Sequence, residues 1–208
     1  MKVLDLFCGQ GGWSKAFYEA GHECTGLDIE NIGYPYRFIK ADLNDWTPDQ
    51  HYDIILASPP CNHFSSVNQN WNGKNNNTKG LDLVWRTFAL IQEIKPKYWV
   101  IENVAGLAQF IDKPTDIVRY GRGVHRKSAY LWSNIGKLGF FSQMIVKQTN
   151  RDTFKRPDQS RTLHDGPKGT CSLAVIPYPL SKGVLDKIKV LEFTDPASAS
   201  AVMIGALE

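Results

Sequence analysis

The chain has 208 residues, and its composition, 42% hydrophobic, 22% charged and 12% aromatic, is that of an ordinary globular protein. This length suits one domain with a full core and room for a small appendage. No run of about eighteen apolar residues occurs, and the opening "MKVLDLF" lacks the form of a signal peptide. We therefore expect a cytoplasmic protein with no membrane partner.

Charge is distributed unevenly along the chain. The formal net charge is only +3, but residues 113–168 contain twelve Lys or Arg against four Asp, whereas the rest holds twelve basic and seventeen acidic residues. A basic segment on a mildly acidic body suggests a polyanionic partner, such as a nucleic acid, that is met on one side. The alternative is a basic face that is merely solvated.

The four cysteines are scattered and lack the CxxC or His-paired spacing of a metal site; they are Cys8, Cys24, Cys61 and Cys171. In a reducing cytoplasm we expect neither disulfides nor bound metal. At most one or two of these thiols should take part in chemistry.

Five predicted strands occupy the first hundred residues, at 2–7, 23–30, 37–42, 52–58 and 97–104. The last is apolar throughout its middle, which is typical of a strand covered on both faces. Helical patterns lie between several of these strands. Such alternation predicts an α/β fold with a doubly wound, mostly parallel, Rossmann-like sheet.

Two helices are predicted within this region. The first has one buried stripe at i, i+3, i+4 and i+7 spacing, formed by Trp13, Ala16, Phe17 and Ala20, and Gly21 suits its C-terminal cap. The second covers residues 81–94 and stops before Pro96. The polar stretch "WNGKNNNTKG" at 71–80 is predicted to be a loop.

The pattern loosens after about residue 105 into short segments with Gly, Pro, Lys and Arg, which predicts a small irregular basic insertion. "SLAVIPYPLSKGVLDKIKVLEF" at 172–193 predicts a strand followed by a helix. The residues from Asp195 onward give no assignable pattern.

A glycine-rich turn joins the first strand to the first helix. In "DLFCGQGGWS", Gly9, Gly11 and Gly12 would let the backbone approach a ligand, although a plain structural turn explains them about as well. Asp28 ends the second strand, where an acid commonly binds ribose hydroxyls, and Asp42 ends the third. Because the turn fits no phosphate-binding loop, a nucleoside such as that of S-adenosylmethionine fits best.

The fourth strand ends in two prolines followed by a cysteine. Pro59 and Pro60 fix the backbone and remove two donors, so Cys61 is held on a loop at the carboxyl end of the sheet. The next strand ends in Glu102, and a carboxylate there is costly unless it faces a cleft or is bonded. The two residues predict a thiol and acid pair for covalent catalysis, the alternative being a buried structural cysteine.

These segments resemble the motifs of the cytosine-C5 DNA methyltransferases. "DLFCGQGG", "GLDIE" and "KADLNDW" are similar to the first three motifs of that family, "SPPCNHFS" to its Pro-Cys loop and "IENV" to its Glu-Asn-Val motif. The resemblance covers residues 1–106 and resumes at "RYGRGVHRKSAYLW" and "AVIPYPLSKGVLD". It implies the sheet of an S-adenosylmethionine-dependent methyltransferase.

The resemblance also implies a mechanism and a set of site residues. Cys61 would attack C6 of a flipped cytosine, Glu102 would hold and protonate N3, and Asn103 would fix the local geometry. Arg122 and Arg126 would contact the base or its phosphate. The residues implied for the S-adenosylmethionine site are Phe7, Gly9, Gly11, Gly12, Asp28, Ile29, Asp42, Leu43 and Pro60.

The sequence departs from the family pattern at three places. Arg119 stands where Gln is expected in the family's Gln-x-Arg-x-Arg, Asn62 follows the cysteine where Gln is common, and fewer than forty residues remain for target recognition. We predict a catalytic core at 1–133, a reduced recognition region at 134–170 and a segment returning to the core at 171–208. Sequence specificity would be relaxed, supplied by the basic stretch, or borrowed from a protein partner or oligomer.

Several functions stay open at this point. DNA is the expected substrate, in a prokaryotic or phage-infected cell, but RNA would suit a small recognition region. The transferred carbon group depends on details of the pocket. A catalytically idle nucleic-acid-binding module of the same fold is the alternative from another class, although such a module has no need of a thiol at that bend.

Overall fold

The computed structural model describes residues 1–64, 77–120, 127–143 and 176–195. Within these ranges the strands are β1 (Lys2–Leu6), β2 (Glu23–Asp28), β3 (Arg37–Lys40), β4 (Ile54–Ala57), β5 (Tyr98–Asn103), β6 (Asp116–Tyr120) and β7 (Lys127–Ser133). The α-helices are α1 (Ser14–Glu19), α2 (Asn77–Ile94) and α3 (Tyr178–Thr194). Short 3₁₀ turns follow β4, at Cys61–His63, and β5, at Ala105–Gln109.

The strands form one sheet in the order β3-β2-β1-β4-β5-β7-β6. Neighbours from β3 to β5 pair in parallel, whereas β7 runs antiparallel to both β5 and β6. The strand order reverses between β1 and β4, and ligands of open α/β sheets bind at such a point, beyond the carboxyl ends of the strands. The predicted doubly wound, mostly parallel sheet is confirmed.

Alternate residues of each strand bury into separate cores on the two faces of the sheet. Val3 and Ile54 pack on the face that carries α1 and α3, while Leu4 and Ile55 pack on the face that carries α2. Successive side chains of a strand point to opposite faces, so the central strands need apolar residues at every position. This double burial fixes which face each strand-end side chain takes.

The structure corrects the ends of two predicted helices. Helix α1 ends at Glu19, so Ala20, predicted as part of the buried stripe, is an exposed cap residue, while Gly21 follows with the left-handed φ of 82° that suits a C-terminal glycine. Helix α2 begins at Asn77, so the last four residues of the predicted loop are helical.

The two antiparallel strands β6 and β7 lie in the part that the sequence described only as loosened. The predicted C-terminal helix is confirmed as α3, but the strand predicted before it at 172–175 lies outside the described residues. No helix in the described ranges combines the length and apolar character needed to cross a bilayer.

Candidate active site

The turn after β1 has a strained backbone. Phe7, Gly9 and Gly11 have φ values of 59°, 50° and 81°, and only the glycines adopt such values without cost. The Phe7 conformation is held by its N–H, which donates to the Leu27 carbonyl over 2.9 Å. A strained non-glycine residue that its surroundings hold in place is a feature that clusters at functional sites.

Asp28, at the end of β2, faces this turn. Its carboxylate accepts the N–H of Gly9 over 3.1 Å and the N–H of Ile29 over 2.8 Å. Each carboxylate oxygen keeps a further lone pair, so the group is oriented and still able to accept a ligand hydroxyl. Ile29 itself is 66% exposed, an unusual position for a large apolar side chain.

Two of the glycines are explained by close packing within the protein. A Cβ on Gly12 would lie 2.6 Å from the carbonyl oxygen of Ile176, just before α3, and one on Gly11 would lie 3.2 Å from the Tyr34 ring. Close packing therefore explains the glycines at these two positions. The contact at Gly12 also places the residues just before α3 against the turn.

The loop after β3 carries the remaining acid predicted for the cofactor site. Asp42 is exposed at the sheet edge and accepts the Asn44 N–H over 2.9 Å, whereas the Leu43 side chain is buried and can offer a ligand only its backbone. The guanidinium of Arg86 on α2 donates to the carbonyls of Leu43 and Trp46 over 3.1 and 2.6 Å. Arg86 thereby anchors the loop to α2.

Beneath the glycine turn lies a buried acid that the sequence analysis missed. Asp5 is 1% exposed, accepts the Ser14 hydroxyl over 2.7 Å, and leaves its other oxygen without a hydrogen-bond partner. Burial raises the pKa of Asp5 to about 8. The signal was present, because an Asp in the middle of the apolar strand "KVLDLF" is costly to bury.

Two of the described thiols lie buried in this same region. Burial, followed by the charge of Asp5, raises the pKa of Cys8 and of Cys24, the latter to about 12. A thiol held in its protonated form is a poor nucleophile. These cysteines therefore act as core residues, and Cys171 lies outside the described residues.

The third described cysteine is presented differently. Cys61 is half-buried and opens a 3₁₀ turn after a buried Pro59 and an exposed Pro60. The turn is closed by the Phe64 N–H, which donates to the Cys61 carbonyl over 3.0 Å. Gly106 packs so closely beneath it that a Cβ there would lie 1.9 Å from the Phe64 carbonyl oxygen.

Glu102 lies at the end of β5, next to this turn. Ala57 of β4 pairs with Ile101 of β5, so Ser58 and Glu102 follow as neighbours on the same face. Burial raises the pKa of Glu102 to about 7, against the opposing effects of a hydrogen bond from Ser58 and the positive charge of Lys127. A carboxyl group with this pKa exists in both protonation states at neutral pH.

A tyrosine joins the thiol and the acid in one neighbourhood. Tyr120, half-buried at the end of β6, has a pKa raised first by burial and then by the charges of Glu102 and Cys61. Its phenol therefore lies within electrostatic reach of both groups and stays protonated at neutral pH. Neither Tyr120 nor Lys127 was singled out from the sequence, although both lie within the "RYGRGVHRK" segment that carries the resemblance.

Asn103 connects the segment before the Cys61 turn to β5 by a hydrogen bond. Its side chain is fully buried, its Nδ2 donates to the Pro59 carbonyl over 2.9 Å, and its Oδ1 accepts the Val104 N–H over 2.9 Å. The role of Asn103 in fixing the local geometry stays a prediction. The remaining predicted residues of the site, Arg122 and Arg126, lie outside the described residues.

Comparison with known proteins finds several similar chains. The chain is similar to a "Probable DNA (cytosine-5)-methyltransferase" of Frog virus 3, with 27% identity over 79% of this chain and 84% of the relative. It is 28% identical to the type II methyltransferase M.HindV of Haemophilus influenzae over 80% of this chain and 60% of that enzyme. A solved structure of a Spodoptera frugiperda DNMT2 mutant matches with 25% identity and a TM-score of 0.39, over 52% of this chain and 37% of that one.

The match to a protein family is more extensive than any single motif. The model of the C-5 cytosine-specific DNA methylase family matches residues 1–116. This range includes β1 to β5, the acids Asp28 and Asp42 of the glycine-turn side, and the 3₁₀ turn that bears Cys61. More than half of the chain is thus matched in one continuous stretch. The chain belongs to the C-5 cytosine-specific DNA methylase family.

Proposed function

We propose that this chain transfers a methyl group from S-adenosylmethionine to C5 of cytosine in DNA, through a covalent adduct between Cys61 and C6. The observation that carries the proposal is that a half-exposed thiol just after β4 and an acid of raised pKa at the end of β5 lie at the same edge of two paired parallel strands, both within electrostatic reach of Tyr120. A binding module would gain nothing from this pair.

Cys61 and Glu102 together can overcome the low reactivity of cytosine at C5. C5 of the intact ring is too poor a nucleophile to accept a methyl group. The Cys61 thiolate forms a bond to C6, the displaced electron pair moves through the ring, and the proton of Glu102 passes to N3. C5 is then an enamine carbon that takes the methyl group, and the electron pair of the broken sulfur–methyl bond leaves with S-adenosylhomocysteine. Loss of the C5 proton to a base breaks the S–C6 bond and releases the thiolate, and N3 returns its proton to Glu102.

The pKa of Glu102 supports its role as an acid. At a pKa of about 7, a large fraction of molecules carry the proton at neutral pH, and the group is poised to give it up. Asn103 holds Pro59, and through it the turn that bears Cys61, so that the thiol and the acid keep one geometry.

The residues at the glycine turn fit the methyl donor. S-adenosylmethionine, when bound, supplies an electrophilic methyl carbon. The Asp28 carboxylate, oriented by two backbone N–H groups, suits ribose hydroxyls, and the exposed Ile29 beside it suits the flat face of adenine. Phe7 and Gly9 would line the same edge, with Asp42 at its far side.

We also propose the division of the chain into a core at 1–133, a recognition region at 134–170 and a segment at 171–208 that returns to the core. The contact between Gly12 and Ile176 supports the last part, because it sets the residues before α3 against the glycine turn. DNA is favoured over RNA by the family match. Arg122 and Arg126 keep their proposed contacts to the base or its phosphate.

Incubation of the purified protein with methyl-labelled S-adenosylmethionine and either DNA or RNA tests the proposal. We expect label in DNA, and a stable protein adduct on DNA that contains 5-fluorocytosine. Cys61→Ala should abolish both while cofactor affinity stays nearly unchanged, and the buried Cys24→Ala is the matched control that keeps them. Label only in RNA, or transfer that persists in Cys61→Ala, would contradict the proposal; binding without transfer would favour the idle module.

A further inference from the structure

The catalytic acid has a neighbour that the proposed reaction does not use. Ser58 is the first residue after β4, and the parallel register that pairs Ala57 with Ile101 sets it beside Glu102 on the face that carries α1. The register places the two side chains for a hydrogen bond, and a bond from Ser58 would oppose the rise in the Glu102 pKa that burial causes. A hydroxyl in this position can donate or accept, so its direction depends on what else it contacts.

Trp13 restricts that direction. Its indole Nε1–H donates to the Ser58 hydroxyl oxygen over 2.9 Å, and its ring is 1% exposed. An indole N–H is a donor only, so Trp13 occupies one of the two lone pairs of the Ser58 oxygen and leaves the Ser58 proton free to point toward Glu102. Trp13 directly follows the glycine turn, and α3 holds its backbone through the Ser181 hydroxyl. Trp13 is therefore fixed by packing, by one hydrogen bond from its ring and by one to its backbone carbonyl.

We propose that Trp13 and Ser58 form a directed hydrogen-bond chain that keeps the Glu102 proton on the carboxyl oxygen facing the base. One oxygen of the carboxyl group accepts from Ser58, so a proton on that oxygen would compete with the Ser58 proton. The proton therefore occupies the other oxygen, from which it can reach N3. Trp13 and Ser58 are positioning residues, since they act through Glu102.

The other groups that face Glu102 do not replace this chain. In the described residues, Lys127 at the start of β7 adds a positive charge, Tyr120 of β6 brings a phenol, and Cys61 brings a thiol. A charge at some distance stabilises the carboxylate without distinguishing its two oxygens. Only a donor bonded to one oxygen makes the two oxygens unequal. This inference rests on the proposed function for its catalytic meaning, but the hydrogen-bond chain can be tested without activity.

The test measures the pKa of Glu102 directly by ¹³C NMR of the side-chain carboxyl carbon, with Glu102→Gln used only to assign the signal. Ser58→Ala removes the donor to the charged form, so the titration midpoint should rise by about one pH unit. Trp13→Phe, which leaves Ser58 free to rotate, should raise it by about half as much. Ser58→Thr keeps the hydroxyl and should restore the wild-type midpoint.

A matched control separates this effect from general damage to the core. Trp132 is also buried, and its indole N–H donates to the Asp112 carbonyl over 2.6 Å, on the opposite face of the sheet from Trp13. Trp132→Phe should leave the Glu102 midpoint unchanged. Unchanged midpoints in both Ser58→Ala and Trp13→Phe would overturn the inference, as would an equal rise in Trp132→Phe.

Kinetics provide the second measurement. If protonated Glu102 serves as the acid, the alkaline limb of the pH profile of kcat/KM should move with the NMR midpoint in Ser58→Ala and return in Ser58→Thr. A shift in the NMR midpoint with no shift in that limb would overturn the catalytic part of the inference. A wild-type protein that transfers no methyl group would instead contradict the proposed function, and the NMR titration would still decide whether the chain exists.

Discussion

Replacement of Asn103 by Ala should disconnect the loop that bears Cys61 from β5. The substitution leaves the buried Pro59 carbonyl and the partly buried Val104 N–H without the partners that now lie at 2.9 Å. A buried polar group left without a hydrogen bond costs about 1–3 kcal/mol, so the free energy of unfolding should fall by about 2–4 kcal/mol. That loss is a large part of the 5–15 kcal/mol typical of a small domain.

The chain contains a matched control for this substitution. Asn134 makes the same pair of bonds, because its Oδ1 accepts the Trp99 N–H over 2.8 Å and its Nδ2 donates to the Lys97 carbonyl over 2.9 Å. It is exposed, however, and lies at the opposite edge of the sheet. Water can replace its bonds, so Asn134→Ala should cost only about 0.5–1.5 kcal/mol and leave methyl transfer unchanged.

Urea unfolding followed by tryptophan fluorescence gives the two stabilities, and methyl transfer is measured at a temperature where both variants are folded. For Asn103→Ala we expect transfer to fall at least tenfold, because a loop displaced by about 1 Å costs that much or more. Cofactor affinity, measured by calorimetry, should change little. If the two variants lose equal stability and both keep full activity, Asn103 does not anchor the catalytic loop.

Three further predictions concern other parts of the site. Burial raises the pKa of Asp5 from 3.8 to about 8, so between these pH values the folded state holds a proton that the unfolded state has lost. The free energy of unfolding should therefore decline by as much as about 5 kcal/mol between pH 4 and pH 8. Urea unfolding at several pH values measures this decline, and Asp5→Asn should remove most of it. Gly106→Ala should displace the catalytic turn, because the new Cβ would lie 1.9 Å from the Phe64 carbonyl, and transfer should fall more than tenfold in the labelling assay. Arg86→Ala should free the loop after β3 and raise the KM for S-adenosylmethionine several-fold with a smaller change in kcat.

Two of these have a control within the chain. Gly136 has a positive φ of 69° and open space around it, so Gly136→Ala costs backbone strain but should preserve activity. Arg37 forms an exposed ion pair with Asp49, and Arg37→Ala should leave the KM unchanged. For Asp5→Asn, a decline with pH as steep as that of the wild type would assign the decline to other groups, such as Glu102.

The strands β1, β2, β4 and β5 were predictable because they depend on local signals, whereas the pairing of Cys61 with Glu102 stays a prediction. Apolar runs mark β1, β2, β4 and β5, and the residues that end parallel strands meet at one edge of the sheet whatever the remaining packing. Strands β6 and β7 carry weaker signals. Only Val118 is buried in β6, since this strand lies at the edge of the sheet, and edge strands need fewer apolar residues. Their assignment depends on the pairing of β7 with β5 and of β6 with β7, which are tertiary contacts.

The contacts that organise the acid could not be predicted for a related reason. Trp13 and Ser58 are 45 residues apart, and Ser58 meets Glu102 only in one register of β4 and β5. A slip of one residue would turn Glu102 to the opposite face. Side-chain interactions on both faces of the sheet oppose that slip. Consecutive residues Glu102 and Asn103 point to opposite faces, and they bond the consecutive residues Ser58 and Pro59. The register that forms the catalytic pair is therefore held by the same residues that position its acid and its thiol, so disruption of either bond should affect both.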